Sequence, residues 1–328
     1  MAGIGTAVTL LDWSKVQGPD GSIQAIAEVL GQKNEFIEDM VWVEGNLPTG
    51  HRGTIRTGLP TVYFRLLNQG VPPSKATTTQ VDEAAAIMEA RCQIDKDLAE
   101  LNGLAPAFRA SQSVPFLESM AQTFAAKAFY GNVNTDPEQF SGLATRYSDN
   151  TTAAIKENII DGGGTGSDNT SIWLIGWGDN AVHGIYPKGS QMCLQHQDLG
   201  LADAFDSNGY RFRAYLDWYQ WKAGLFVADW RCAVRIPNID VSNTVGATSA
   251  PDIASLMIQA IDKVNMNAAS KWAFYMNRTL GTALNLQMYN RPNMLLTMEN
   301  SDGKAWSRFR GIPIRTVDQI LSTESRVT

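Results

Sequence analysis

Residues 105–131, APAFRASQSVPFLESMAQTFAAKAFYG, carry the clearest helical periodicity in the chain. Phe116, Met120, Phe124 and Ala128 recur four residues apart, and Leu117, Ala121 and Phe129 widen the stripe. Alanine and glutamine fill much of the remainder, and Gly131 closes the segment. Pro115 is expected to start or kink the regular part, because proline cannot donate to the preceding turn. A long helix with one apolar face needs a second layer to cover it.

That layer is legible between 170 and 240. SIWLIGWG, AVHGIYPKG and YRFRAYLDWYQWKAGLFVADWRCAVRI are rich in β-branched and aromatic residues, and Trp173, Trp177, Trp218, Trp221 and Trp230 concentrate there. After the polar break SNTVGATSAP, Pro251 and Asp252 open a second helix whose apolar face is Ile253, Leu256, Met257, Ala260, Ile261 and Val264. The end of the chain reads as strand, helix, turn and strand. At the other end, residues 1–39 read as an arm followed by a short amphipathic helix carrying Ile23, Ile26, Ala27 and Leu30. Two β-rich runs, 52–67 and 76–94, are separated by NQGVPPSK, and alternation is visible in Thr61–Leu66. Such a pattern predicts a long projecting two-stranded loop. With strands and helices segregated along the chain, the fold class is α+β.

Charged residues are 18% of the 328, below the roughly 25% of an ordinary soluble domain, so part of the surface is expected to be covered by another copy of the chain. A net charge of -6 argues against a free-standing nucleic-acid binder. No apolar run is long enough to span a membrane, the first residues lack the basic start of a secretory signal, and Cys92, Cys193 and Cys232 are odd in number and widely spaced. These features point to a reduced, soluble, cytosolic protein.

The chemistry a chain of this composition could host is thin. Gly162, Gly163, Gly164 and Gly166 resemble a phosphate-cradling loop, but a strand-like run follows them instead of a helix, with no Lys-Ser/Thr pair. They read as a mobile approach to a buried strand. Cys193-x-x-His196 with His183 nearby is half of a zinc pattern without its other half. No G-x-S-x-G elbow is present. His51, in TGHRGT, reads as a solvated loop histidine, and Asp95 and Asp97 as the polar start of a helix. The tryptophans suit a sugar platform or, more simply, core and subunit contacts. No cofactor or metal is expected.

The order of elements carries a resemblance. An arm, a two-stranded projecting loop, a long helix ending in FYGN, then DPEQFSGLATRY, and near the end AFYMNRTLGTALNLQM, SDGKAW and FRGIPIRTVDQIL together resemble the major capsid proteins of tailed, and in particular short-tailed, double-stranded DNA bacteriophages. The resemblance implies an HK97-like fold with an N-terminal arm and short helix (1–39), an extended E-loop region (40–94), a peripheral domain with a spine helix at 105–131 (95–245) and an axial domain (246–328). Because the strand-rich block precedes GIPIR, the topology is expected to be permuted relative to the prototype shell protein. It implies a structural protein and not an enzyme, forming pentamers and hexamers of an icosahedral head. The implied partners are other copies of itself, a decoration or scaffolding protein, a portal and packaged DNA on the inner face, with assembly in the host cytoplasm and no membrane. Contacts between subunits are expected at Arg52, Arg56, Tyr63, Phe64, Arg65 and Lys75, with the arginines meeting acidic groups next door and the glycine loop acting as a hinge. The prototype's covalent crosslink is not expected, although Lys75 lies near the tip. The competing readings are a β-rich carbohydrate-binding protein and a hydrolase with a dispersed Ser/His/Asp site.

Overall fold

The computed structural model describes residues 32, 34–151, 154–192, 194–206, 208–244, 250–289, 296–301 and 304–328. The helix expected around Ile23–Leu30, the Asp302-Gly303 turn and Cys193 lie outside them. In chain order the elements are α1 (Phe36–Asp39), β1 (Trp42–Glu44), β2 (Gly50–Gly58), β3 (Thr77–Ala84), β4 (Ala86–Asp95), α2 (Lys96–Ala99), α3 (Ala105–Tyr130), α4 (Leu143–Arg146), β5 (Asn169–Trp177), β6 (Val182–Tyr186), β7 (Gln195–Phe205), β8 (Arg211–Val227), β9 (Ala233–Asp240), α5 (Ile253–Lys263), β10 (Lys271–Met276), α6 (Arg278–Tyr289), β11 (Leu296–Ser301), β12 (Lys304–Phe309) and β13 (Ile312–Thr316).

One 11-stranded sheet runs β11-β12-β13-β10-β5-β6-β8-β4, with β9 on β5, β1 on β6 and β7 on β8; β2 and β3 pair only with each other. β5 is buried along its whole length, which is why its sequence is an unbroken apolar run instead of an alternation. Trp173, Ile175 and Trp177 point into a core shared with Phe124, Ala128 and Phe129 of α3, while Ile172 and Leu174 point into a second core made with Ile253 and Met257 of α5 and Leu280 and Leu284 of α6. A third cluster joins Phe108 and Met120 of α3 to Cys92 and Ile94 of β4 and Tyr219 of β8. Helix α3, with 26 residues and so about 39 Å long, spans the first and third clusters.

α3 does not start or restart at Pro115. It begins at Ala105, and the exposed Pro115 sits inside it. The fully buried Phe108, two turns before the proline, anchors the first part of the helix, so packing offsets the roughly 3 kcal/mol such a residue costs in a helix interior. Its far end explains two of the quoted motifs. Gly142 donates to the Gly131 carbonyl, as does the Thr145 hydroxyl, and a Cβ on Gly131 would stand 2.3 Å from the Phe140 carbonyl. FYG and FSGL need their glycines because the returning chain lies against the helix end.

The glycine loop differs from its expected mobility. Ile160, Gly162 and Gly164 donate to the carbonyls of Arg235, Pro237 and Asn238, so the segment runs beside β9 as an added edge. A Cβ on Gly164 would lie 2.6 Å from the Asn238 carbonyl oxygen. Close approach, not freedom, selects these glycines.

The C-terminal segment is fixed by a buried ion pair. Arg235 and Glu324 are 5% and 3% exposed and meet at 2.8 Å. Glu324 also accepts from the hydroxyls of Tyr130 and Ser171, and Arg235 donates to Ser171 and to the Tyr147 carbonyl. Beyond it, the Asn238 side chain brackets both the N–H and the carbonyl of Val327 at 2.8 Å. Glu324→Ala strands a buried guanidinium and is expected to cost about 3–5 kcal/mol. A urea midpoint equal to the wild type's would contradict that.

Cys92 and Cys232 are buried and free, and burial pushes both thiols up to about 11. Only roughly one molecule in three thousand is then a thiolate at about pH 7.5, and the thiolate is the reactive form. Peptide mapping after iodoacetamide should find both unlabelled in the native chain and labelled in denaturant.

Candidate assembly surface

β2 and β3 form an antiparallel ribbon from Gly50↔Ala84 to Gly58↔Thr77. Past it the chain continues as an extended, unpaired tip over 59–76, turning where Gln69 donates to the Leu66 carbonyl and Asn68 takes a positive φ of 64°. The run Thr61–Leu66 is therefore not a strand, and 86–95 is not part of the projection: β4 pairs with β8 along Ala86↔Ala223 to Asp95↔Ala214. Alternation in 61–66 reflects an extended chain with no second strand beside it among the described residues.

Every residue from Leu59 to Gln80 is exposed. Leu59, Val62, Phe64, Leu66 and Leu67 are each more than two-thirds exposed, an apolar concentration that isolated soluble chains avoid. The charges are one-sided. No Asp or Glu occurs between Glu44 and Asp82, whereas Arg52, Arg56, Arg65 and Lys75 all fall there. Arg52 is engaged in its own chain, a bidentate pair with Asp82 across the ribbon at 2.6 Å that raises the guanidinium's pKa and lowers the carboxyl's. Among the described residues no carboxylate meets Arg56, Arg65 or Lys75. Tyr63 and Phe64 share the same exposed tip.

The ribbon's root is tightly built. Asn46 brackets the backbone of Arg52 with two 2.7 Å hydrogen bonds, Gly45 donates to the Tyr186 carbonyl and Ala85 to that of Thr49. Glu83 meets Arg146 at 2.6 Å, tying β3 to α4. His51 is not the solvated histidine expected: it is half-buried, edge-on to Phe226 with centroids 4.7 Å apart. A polar neighbourhood in sequence concealed a contact made across the fold.

The other candidate chemistry is dispersed. Among the described residues no three His, Cys, Asp or Glu side chains converge as a metal site. His196 stacks on Tyr219 and meets Asp217 at 3.1 Å, but Arg109 holds the same carboxylate at 2.9 Å and Asp198 at 2.6 Å. The group pins β7, β8 and α3 together. Asp95 caps α2 by accepting from the Asp97 N–H. Trp173 and Trp177 are buried and Trp221 and Trp230 pack against the same core, so four of the five tryptophans of this block serve packing, while Trp218 is half-buried on β8.

The family model described as "Major capsid protein GP7" matches residues 18–328. The chain belongs to that family of major capsid proteins. This capsid protein is also similar to a chain in the cryo-EM structure of bacteriophage Epsilon15, with 35% identity, a TM-score of 0.78, and 100% of this chain and 99% of that one covered. The bacteriophage JBD30 capsid shares the fold at a TM-score of 0.50 and 6% identity, over 90% of this chain and 95% of that one. No curated protein matches. The capsid protein is accordingly structural and non-enzymatic, has an HK97-like α+β fold, self-assembles into a shell, and is part of the virion head.

The tight root yields its own expectation for the capsid protein. A Cβ on Gly53 would stand 2.2 Å from Cζ of Phe226. Gly53→Val should therefore lift the ribbon off β8 and lower stability by about 1–3 kcal/mol, as overpacking does. A thermal melt superimposing on the wild type's would contradict this.

Proposed function

We propose that the chain builds an icosahedral head from pentamers and hexamers of itself around double-stranded DNA, with each subunit laying its β2–β3 ribbon over a neighbour. The observation that carries this is the uncovered tip at 59–76, apolar and basic, with no acidic group among its residues. A two-stranded ribbon is marginal alone, and burial against another subunit supplies the missing cover. Arg56 and Arg65, with Lys75, would find carboxylates on the neighbour, while Tyr63 and Phe64 supply apolar area at the centre of the contact. Arg52 contributes by stiffening the ribbon through Asp82. In the same reading residues 1–39 are the arm, 40–94 the loop region, 95–245 the peripheral domain and 246–328 the axial domain. A scaffolding or decoration protein and a portal complete the shell, DNA faces its inside, and assembly takes place in the host cytoplasm.

Phe64→Asp combined with Arg65→Glu should leave circular dichroism and the melting temperature of the subunit unchanged while abolishing closed shells in negative-stain microscopy and light scattering, under conditions where the wild-type chain assembles. Shells formed by the variant at the wild-type yield would overturn the role given to the tip.

A further inference from the structure

We propose that His51 and His183 form a proton-operated latch at the root of the ribbon, holding it against the sheet when both rings are neutral and releasing it when they are charged.

The geometry is that of an aromatic stack built from ionisable parts. His183, on β6, is 2% exposed and lies tilted on Phe226 of β8 with centroids 5.2 Å apart. His51, at the start of β2, stands edge-on to Phe226 and edge-on to His183 at 5.8 Å. Neither nitrogen of His183, nor Nδ1 of His51, makes a well-aligned hydrogen bond among the described residues, although the Gly178 carbonyl lies close enough to His183 to favour its charge. A cavity of about 190 Å³ opens beside the pair, lined also by Gly53, Thr54, Asp179 and Asn180. Two residues further along β2, Gly53 closes on the same phenyl ring. The root is thus seated on Phe226 by residues 51–53, with His183 as the floor.

Neutral imidazoles suit this packing, and charged ones do not. Burial penalises the imidazolium of both residues, and charge on His51 further opposes charge on His183. Against this, the Gly178 carbonyl and the Asp179 carboxylate favour charge on His183, but burial lies first among the causes and the pKa is lowered. The other charged groups nearby are already engaged. Glu83, opposite His51 on β3, is held by Arg146; Arg52 is held by Asp82; and Glu44 of β1, opposite Tyr186, accepts from the Gly189 N–H. At the contact itself β8 brings the phenyl ring of Phe226, and β1 brings Trp42 against Gly184.

The sign follows from linkage. In the released state both rings regain an ordinary pKa of about 6.5, above their value when latched, so opening takes up protons. The latch is at full strength above that pH and weakens as pH falls through the histidine range. The Gly45–Tyr186 and Ala85–Thr49 hydrogen bonds do not titrate and remain as the hinge.

This deepens the assembly reading, because the ribbon's angle decides what it can lie over, but it is measured on the unassembled chain. Failure of the latch leaves the tip's role standing, and failure of the tip leaves the latch standing. Spin labels at Asn68→Cys and Glu138→Cys, with Cys193→Ser and the buried Cys92 and Cys232 unlabelled, report the distance between ribbon tip and body by double electron–electron resonance. At about pH 7.5 the full-length chain should give one narrow distance, and at about pH 5.0 a second, displaced population. His51→Phe with His183→Phe should keep the narrow distance at both. An unchanged distribution in the unsubstituted pair, or an equal pH response in the double phenylalanine chain, would overturn the latch. Should that chain fail to fold, NMR titration of the imidazole C–H resonances decides: a His183 that titrates at or above the ordinary histidine value would overturn it.

Discussion

The buried pair of Arg235 and Glu324 is the interaction on which most of the body depends. Two opposite charges removed from water are tolerated only when nearly every donor and acceptor around them is met, and here the partners come from all over the chain. Ser171 comes from β5, Tyr130 from the last turn of α3, and the Tyr147 carbonyl from just beyond α4. The Arg235 guanidinium also lies over the ring of Trp173 at 5.2 Å. Strand, helix end, return segment and C-terminal segment are thereby fixed in one arrangement, because any shift leaves a charge unmet in a dry interior.

Around this point the molecule divides into parts of different character. The sheet centred on β5 is covered on both faces, by α3 and α1 on one side and by α5 and α6 on the other. Near its other end the 17-residue β8 carries β6 and then β7 along one edge and β4 along the opposite one, so it links the covered centre to the outer hairpin. The ribbon shares none of this support. Among the described residues it is held at its root, by Asn46, the Glu83–Arg146 pair and the contact of His51 and Gly53 with Phe226.

What could be read in the sequence follows that division. Helices α3 and α5 and strands β5, β8 and β9 announce themselves because local periodicity and burial agree. Asp252 accepts from the Ser255 N–H at the start of α5, as its position before an apolar stripe suggests. The tip was legible as exposed and basic, but its strand boundaries were not, since an extended chain alternates whether or not another strand lies beside it. Glycine was ambiguous for a similar reason: Gly163 does take a positive φ of 82°, yet Gly162 and Gly164 are required by the backbone of β9 passing beside them. Arg235 and Glu324 stand 89 residues apart, and His51 meets His183 only where the root of β2 packs over β6 and β8. No local pattern records such meetings.

The absence of any acidic residue between Glu44 and Asp82 has a consequence for symmetry. Two ribbons laid against each other about a two-fold axis would set cations against cations, and the repulsion would rise as their apolar faces closed and water left. The ribbon's own kind is therefore its worst partner. A surface of this sort favours a heterologous contact, in which the patch on one subunit meets a different patch on the next, and repetition of that rule generates rings instead of closed pairs. The charge pattern of one short segment thus weighs against two-fold pairing of ribbons before any particular contact is made.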